Sequence, residues 1–309
     1  MTPHGLHGRD LALVLLICLF WAVNFLTSAH ALQEVPPFLF TAMRMGILAA
    51  LLVAFLKVPP RSQWGRLLAV AMLNGVLHFG TSFLALKLAG NLSSPAIVAQ
   101  VYVPMAVVLA WWLLGERFGW RTGLGVGVSF AGVLVLGFDP MVLDRPVALA
   151  VMVGSSLLVA LGTVLMRGLK GIGMIDQQGW TAVLSVLPLL AISAAFEPGG
   201  MQALRDASWV AWGGAAYAAV FSSLLGHGVF YWLVQRHPVA TVTPYLLLTP
   251  VLAVLLGIWF WGDRPGPVDR GAADAGRGDA GEGRGQEEGG GVAHGVALPV
   301  GHHLHPELP

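Results

Sequence analysis

The sequence predicts an all-α integral membrane protein of two inverted five-helix repeats. The second repeat is incomplete, which gives nine transmembrane helices followed by a disordered C-terminal tail. Three observations carry this reading. The first is composition: 56% of the 309 residues are hydrophobic and 11% are charged, against about 25% charged in soluble domains. The second is a series of nine apolar runs of about 20 residues, the length that crosses a hydrocarbon core of roughly 30 Å as helix. Uninterrupted runs of that length are not the alternating ten-residue strands of a membrane barrel. The third is an internal repeat.

The runs lie near residues 11–30, 36–56, 67–88, 94–114, 120–138, 147–167, 178–196, 209–234 and 239–261. The first ends in "TSAHA", which imitates a signal-peptide cleavage site. Arg9 and Asp10 cancel ahead of it and eight more runs follow, so an uncleaved first helix is expected. With the amino terminus inside, the inner loops hold Arg9, Lys57, Arg61, Arg66, Arg117, Arg121, Arg167, Lys170 and Arg236, and the outer loops Lys87, Arg145, Arg205 and Arg264. Cationic loops favour the cytoplasmic side, which places the amino terminus in the cytoplasm and the tail outside. A net charge of +1 offers no basic stripe for nucleic acid. The one cysteine, Cys18, has no partner for an internal disulfide.

The repeat appears where "SSPAIVAQVYVPMAVVLAWWLLGERFG" (93–119) is echoed by "HPVATVTPYLLLTPVLAVLLGIWFWGDRPG" (237–266). Pro104 matches Pro250, Gly115 matches Gly262, and Glu116-Arg117 recur as Asp263-Arg264; Gly80 and Gly226 keep the separation of the two prolines. The unit is five helices. Because five is odd, the second copy is inverted, an arrangement common among transporters. The expected organisation is a first repeat at 1–141, a second, truncated repeat at 142–264, and a Gly-rich tail at 265–309.

"FWAVNF" in the first span, "AMRMG" in the second, the Pro-to-"LLGER" block of the fourth and "AGVLVLG" in the fifth resemble the EamA-type transporters of the drug/metabolite transporter superfamily, over residues 10 to about 265. The resemblance implies a ten-helix inner-membrane protein that exports amino acids, metabolites or drugs, with the lipid bilayer and a small-molecule substrate as partners. A homodimer stays among the open assemblies. Three departures stand out: Ala22 where the family often has Gly, Asp263 where Glu is usual, and no tenth helix. The last has a candidate cause, a reading frame lost shortly after Arg264. Residues 268–288 carry nine charges, among them Asp269, Arg270 and Glu288. At roughly 3 kcal/mol for each near mid-bilayer, that segment does not span.

Polar side chains at membrane depth mark cavities or interhelical contacts. Asn74, His78 and Ser82 step by four along the third span, as do Ser223, His227, Tyr231 and Gln235 along the eighth. Arg44 lies in mid-span in "FTAMRMGILAALLV", and no Asp or Glu lies deep in any span to pair with it. A substrate carboxylate suits its two-pronged guanidinium; the competing reading is snorkelling or bonding to backbone carbonyls. Pro104 and Pro250 are expected to kink the fourth and ninth spans, the kind of matched break that points to a transporter's binding site. Gln100 and Thr249 sit beside them. Asn24 shares a face with Ser28, with interhelical bonding the favoured role. The expected substrate-binding set is Asn24, Arg44, His78, Gln100, Ser223, His227 and Tyr231. Gly123 and Gly127 read as close helix packing.

No metal motif, phosphate-cradling loop or nucleophile–base pair supports an enzyme or a cofactor. His302, His303 and His305 in "GHHLHPELP" lack the scaffold a metal needs. The resulting expectation is transport, most plainly metabolite export. The alternative is a damaged copy that inserts without transporting and serves at most as a membrane scaffold.

Overall fold

The computed structural model describes residues 8–263 except 116, 118, 121, 122, 126, 129, 130 and 132–142. Most of the fifth expected span, Arg264 and the tail, with His302, His303 and His305, fall outside these. Among the described residues, seven helices are long and apolar enough to cross a membrane. We label them α1 (Arg9–Glu34), α2 (Pro37–Phe55), α3 (Arg61–Ala89), α4 (Ser93–Leu114), α5 (Pro146–Arg167), α6 (Met174–Phe196) and α8 (Trp209–Arg236). A short helix, α7 (Gly200–Asp206), precedes α8.

The ninth expected span is not one continuous helix. It begins with a single turn, Val239–Val242, passes through a 3-10 segment, Thr243–Leu247, and becomes α-helical at Leu248–Leu256. Its longer apolar piece, α9, is Tyr245–Trp261. The cause is Pro250, whose ring lacks an N–H and crowds the carbonyl four residues earlier, at Leu246 inside the 3-10 segment. The matched proline acts alike. Pro104 lies four residues beyond Gln100, where α4 divides into Ser93–Ala99 and Tyr102–Leu114.

Outward faces carry Leu15, Leu19, Trp112, Leu187 and Trp259 exposed, side chains that suit a lipid surface better than water. Inside, α2 packs most extensively along α6, and carboxylates fasten both ends of this pair. Glu197 accepts the Phe38 and Leu39 amides at 2.8 and 3.0 Å, covering the start of α2. At the opposite end, Asp176 accepts the Lys57 amide at 2.8 Å. Helix starts leave amide donors unpaired and attract negative charge.

The same device recurs on the bundle end that holds Glu197. Glu34 accepts from the Ser208 amide and hydroxyl at the start of α8. Asp263 takes the Leu92 and Ser93 amides and the Ser93 hydroxyl at the start of α4. Each of these three acids fastens an element on one side of residue 141 to a helix on the other. At the far end, Arg66 donates to the Gly168 carbonyl and His237 meets Asp10 at 3.0 Å.

Candidate functional site

The site grows from two irregular helices. In α3 the α-helical Trp64–Val70 gives way to a π-helical segment, Ala71–His78, before α-helix resumes at Phe79. In α8 the same change spans Ala218–His227, with α-helix again from Gly228. These are the helices the repeat makes equivalent, and each π segment ends on a histidine. A π turn widens the helix and releases main-chain carbonyls from the usual ladder, and such turns gather at functional sites.

Both histidines are held by their Nδ1. His227 Nδ1 donates to the Ser222 carbonyl five residues back, at 2.7 Å. His78 Nδ1 reaches the Ser155 carbonyl of α5 at 3.1 Å, while the Ser155 hydroxyl donates to the His78 carbonyl at 2.9 Å. A carbonyl only accepts, so Nδ1 of His227 carries the hydrogen and its neutral ring offers Nε2 as an acceptor, whereas His78 Nδ1 also meets the Ser155 hydroxyl at 2.9 Å, a group that donates as well as accepts. The Ser222 carbonyl also accepts the Trp21 indole N–H at 3.3 Å, and Trp21 lies 4.6 Å from the His227 ring.

Arg44 of α2 is fully buried. Its Nε donates to Ser223 Oγ at 2.7 Å and its Nη2 to Ser222 Oγ at 3.4 Å. The guanidinium carbon sits 3.9 Å from the centre of the Phe79 ring, a cation–π arrangement that softens burial of the charge. No Asp or Glu among the described residues forms an ion pair with it. Two hydroxyls and one ring leave most of its five N–H donors available.

These groups meet at a central cavity with an empty volume of about 840 Å³, mouth included. Helices α1 to α5, α8 and α9 all contribute walls. Of the seven residues singled out from the sequence, six line it: Asn24, Arg44, His78, Gln100, His227 and Tyr231. Ser223 stands behind the wall as the acceptor for Arg44. Aromatic side chains, including Trp21, Phe25, Phe79, Phe83 and Phe230, form much of the remainder.

The stripes stepping by four do not survive intact. Asn74 packs on Gly162 of α5, where a Cβ would collide with its amide, and Gln235 donates to Gln177 of α6 at 3.2 Å. Neither lines the cavity. The π turns shift Asn74 and Ser223 out of the 3.6-residue phase that defines the stripe, while Gln235, in regular α-helix with Tyr231, lies one turn farther along α8, past the cavity. Asn24 accepts from Ser28 one turn along the same helix at 3.4 Å, rather than from another helix. Gly80 and Gly226, the matched glycines, admit aromatic neighbours where a Cβ would stand: Phe38 against the first and Trp21 against the second.

Tyr102, Ser156 and Ser222 line the cavity without having been singled out from the sequence. Tyr102, one of four tyrosines, stands in an apolar span between Gln100 and Pro104, a signal that was available. The serines carry none that separates them from the packing serines of other spans.

Comparison with known proteins places this architecture. The EamA-like transporter family matches twice, over residues 9–138 and 146–272. The uncharacterized transporter sll0355 of Synechocystis is 27% identical over 260 residues, covering 76% of this chain and 77% of its own. The probable amino-acid metabolite efflux pump of Salmonella typhimurium is 26% identical over 265 residues, covering 81% and 87%. A solved crystal structure superposes with a TM-score of 0.61 at 20% identity, over 84% of this chain and 92% of its own, a likeness of fold.

Proposed function

Since the chain belongs to the EamA-like transporter family, we propose that it exports a small carboxylate-bearing metabolite, such as an amino acid or a derivative, across the inner membrane. Transmembrane transport is the activity of the family. The cargo class and direction are our reading. One observation carries it: a central cavity walled by both halves of the chain, with Arg44 buried at its edge and no carboxylate beside it. A buried guanidinium without an anionic partner is costly, and a cargo carboxylate meets that need in two-pronged geometry.

The proposed cycle rocks one repeat, 1–141, against the other, 142–264, so that the cavity faces each side in turn. The excess of cations in the loops of one side supports an orientation with the amino terminus in the cytoplasm and the tail, 265–309, outside. On that orientation, the acids Glu34, Glu197 and Asp263 stand at the outer end. Opening toward the outside then breaks their contacts with the opposite repeat.

The competing reading is a damaged copy that does not cycle, favoured by the charged segment at 268–288 where the repeat calls for a tenth helix. An aromatic-walled cavity fed by both π segments argues for the first reading, because a bundle that merely inserts needs no such space. Purified protein in tight proteoliposomes, preloaded with a panel of labelled amino acids, tests the two. Exchange above empty vesicles is expected for at least one amino acid. A flat panel refutes the cargo assignment.

A further inference from the structure

This inference rests on the transport reading above and deepens it by naming what the cavity selects. Among the described residues, the cavity walls hold one fixed charge, Arg44, and no Asp or Glu. A second hollow, with an empty volume of about 630 Å³, lies among the ends of α1, α3 and α9 and shares Leu86 with the cavity. It too is lined by a single fixed charge, Lys87, and by no acid. The cavity and the adjoining hollow therefore offer cations to a carboxylate and no counter-charge to an ammonium group.

The neutral polar groups include acceptors that no donor meets. Gln100 is 5% exposed; its Nε2 donates to the Ala96 carbonyl and its Oε1 has no partner. The buried hydroxyls of Tyr102 and Thr249 are also unpartnered and both donate and accept. His227, tied through Nδ1 to a carbonyl, adds an Nε2 acceptor. A buried acceptor without a donor loses its hydrogen bond to water and gets nothing back. A cargo hydroxyl satisfies these acceptors as an amine does, since none of them carries charge.

We infer that the cavity reads a carboxylate together with an uncharged hydrogen-bond donor, and therefore takes 2-hydroxy monocarboxylates with apolar side chains alongside the corresponding 2-amino acids. The ammonium charge is not part of what is recognised. The aromatic walls accept the apolar side chain.

The test uses the full chain in proteoliposomes and three matched sets of labelled compounds. For leucine, valine and phenylalanine, each set holds the amino acid, its 2-hydroxy analogue and its amide. The amide keeps the ammonium group and loses the carboxylate. Hydroxy and amino acids are expected to exchange within about threefold of each other, with the amide about tenfold slower or worse, because only the carboxylate has a charged partner. If amino acids exchange and their hydroxy analogues run about tenfold slower, the ammonium is being read and the inference is overturned while transport of amino acids stands. An amide that keeps pace with its acid removes the role given to Arg44. No exchange in any set refutes the proposed cargo and the inference together.

Discussion

Asp263 should behave as a fastener between the two halves of the chain, and its contribution can be worked from the structure. The side chain is 6% exposed, and one oxygen, Oδ2, accepts three hydrogen bonds: from the Ser93 hydroxyl at 2.6 Å, the Ser93 amide at 2.8 Å and the Leu92 amide at 3.0 Å. Its own amide donates to the Gly257 carbonyl at 3.0 Å, closing the end of α9. Bonds to a charged acceptor are worth about 1.5–3 kcal/mol each, but they share one oxygen and do not add. Loss of a helix N-cap alone costs about 0.5–2 kcal/mol. Asp263→Ala should therefore destabilise by about 3 kcal/mol, leaving two amides at the start of α4 without an acceptor. Asp263→Asn keeps a neutral acceptor in the place of Oδ2 and should cost about half as much. Ser93→Ala removes only the hydroxyl donor, about 1 kcal/mol, and the double variant should fall short of the sum by a similar amount. Unfolding equilibria in mixed micelles, followed by tryptophan fluorescence, supply the numbers. An Asn variant as damaged as the Ala variant would refute the charge argument, and a strictly additive cycle would refute the contact between Asp263 and the Ser93 hydroxyl.

Four further outcomes are expected. His78→Leu and His227→Leu should impair exchange while membrane abundance stays near the parent's, because leucine suits the bilayer; normal exchange in both removes the histidines from the cargo path. Arg44→Lys should insert normally yet discriminate acids from amides less well, since an ammonium lacks the two-pronged geometry; unchanged selectivity with a lower protein level marks Arg44 as structural. Gly226→Val places a Cβ 2.7 Å from Trp21 Nε1 and 3.2 Å from the Phe221 carbonyl, so it should destabilise by about 1–3 kcal/mol, whereas Gly213→Ala, which meets nothing within 4 Å, should be silent in the same unfolding assay. Shifting the coding frame near codon 265 should reveal an apolar stretch of about 20 residues resembling "GLGVGVSFAGVLVLGF", and a tag after Pro309 should report from the outer face; failure to find such a stretch in either alternative frame would disprove the lost-frame explanation.

The spans were legible because bilayer crossing imposes length and hydropathy, both of which are local. Runs read at 147–167 and 209–234 correspond to helices at Pro146–Arg167 and Trp209–Arg236. The helix starts were less so. The acids Glu34, Glu197 and Asp263 meet their amides across 158 to 174 residues of chain, and no local pattern announces such a partner. Arg44 illustrates both sides. Its depth in an apolar span was plain, and so was the want of a buried acid. Its actual neighbours, Ser223 and Ser222 at a distance of 179 and 178 residues and the face of Phe79, follow only from how α2 crosses α8 and α3.

The π segments were illegible for a different reason. Residues 71–78 and 218–227 are as apolar as their surroundings, and a helix that adds one residue to a turn leaves no compositional trace. Yet the consequences concentrate there. In α8 the carbonyl of Ser222, at the centre of the widened turn, receives both the His227 ring and the Trp21 indole, and the adjacent hydroxyls receive Arg44. In α3 the π segment ends at His78, whose ring is fixed by the main chain of α5. The two proline-broken helices, α4 and α9, bring Gln100 and Thr249 to the same space. Four departures from regular helix, at matching places in the two halves, thus border the cavity, and the one in α8 supplies the carbonyl that fixes the His227 imidazole. The polar residues were visible in the sequence, but the irregular backbone makes them converge, and a substitution that restored regular α-helix through Ala218–His227 would remove the anchor of His227 without touching a single cavity side chain.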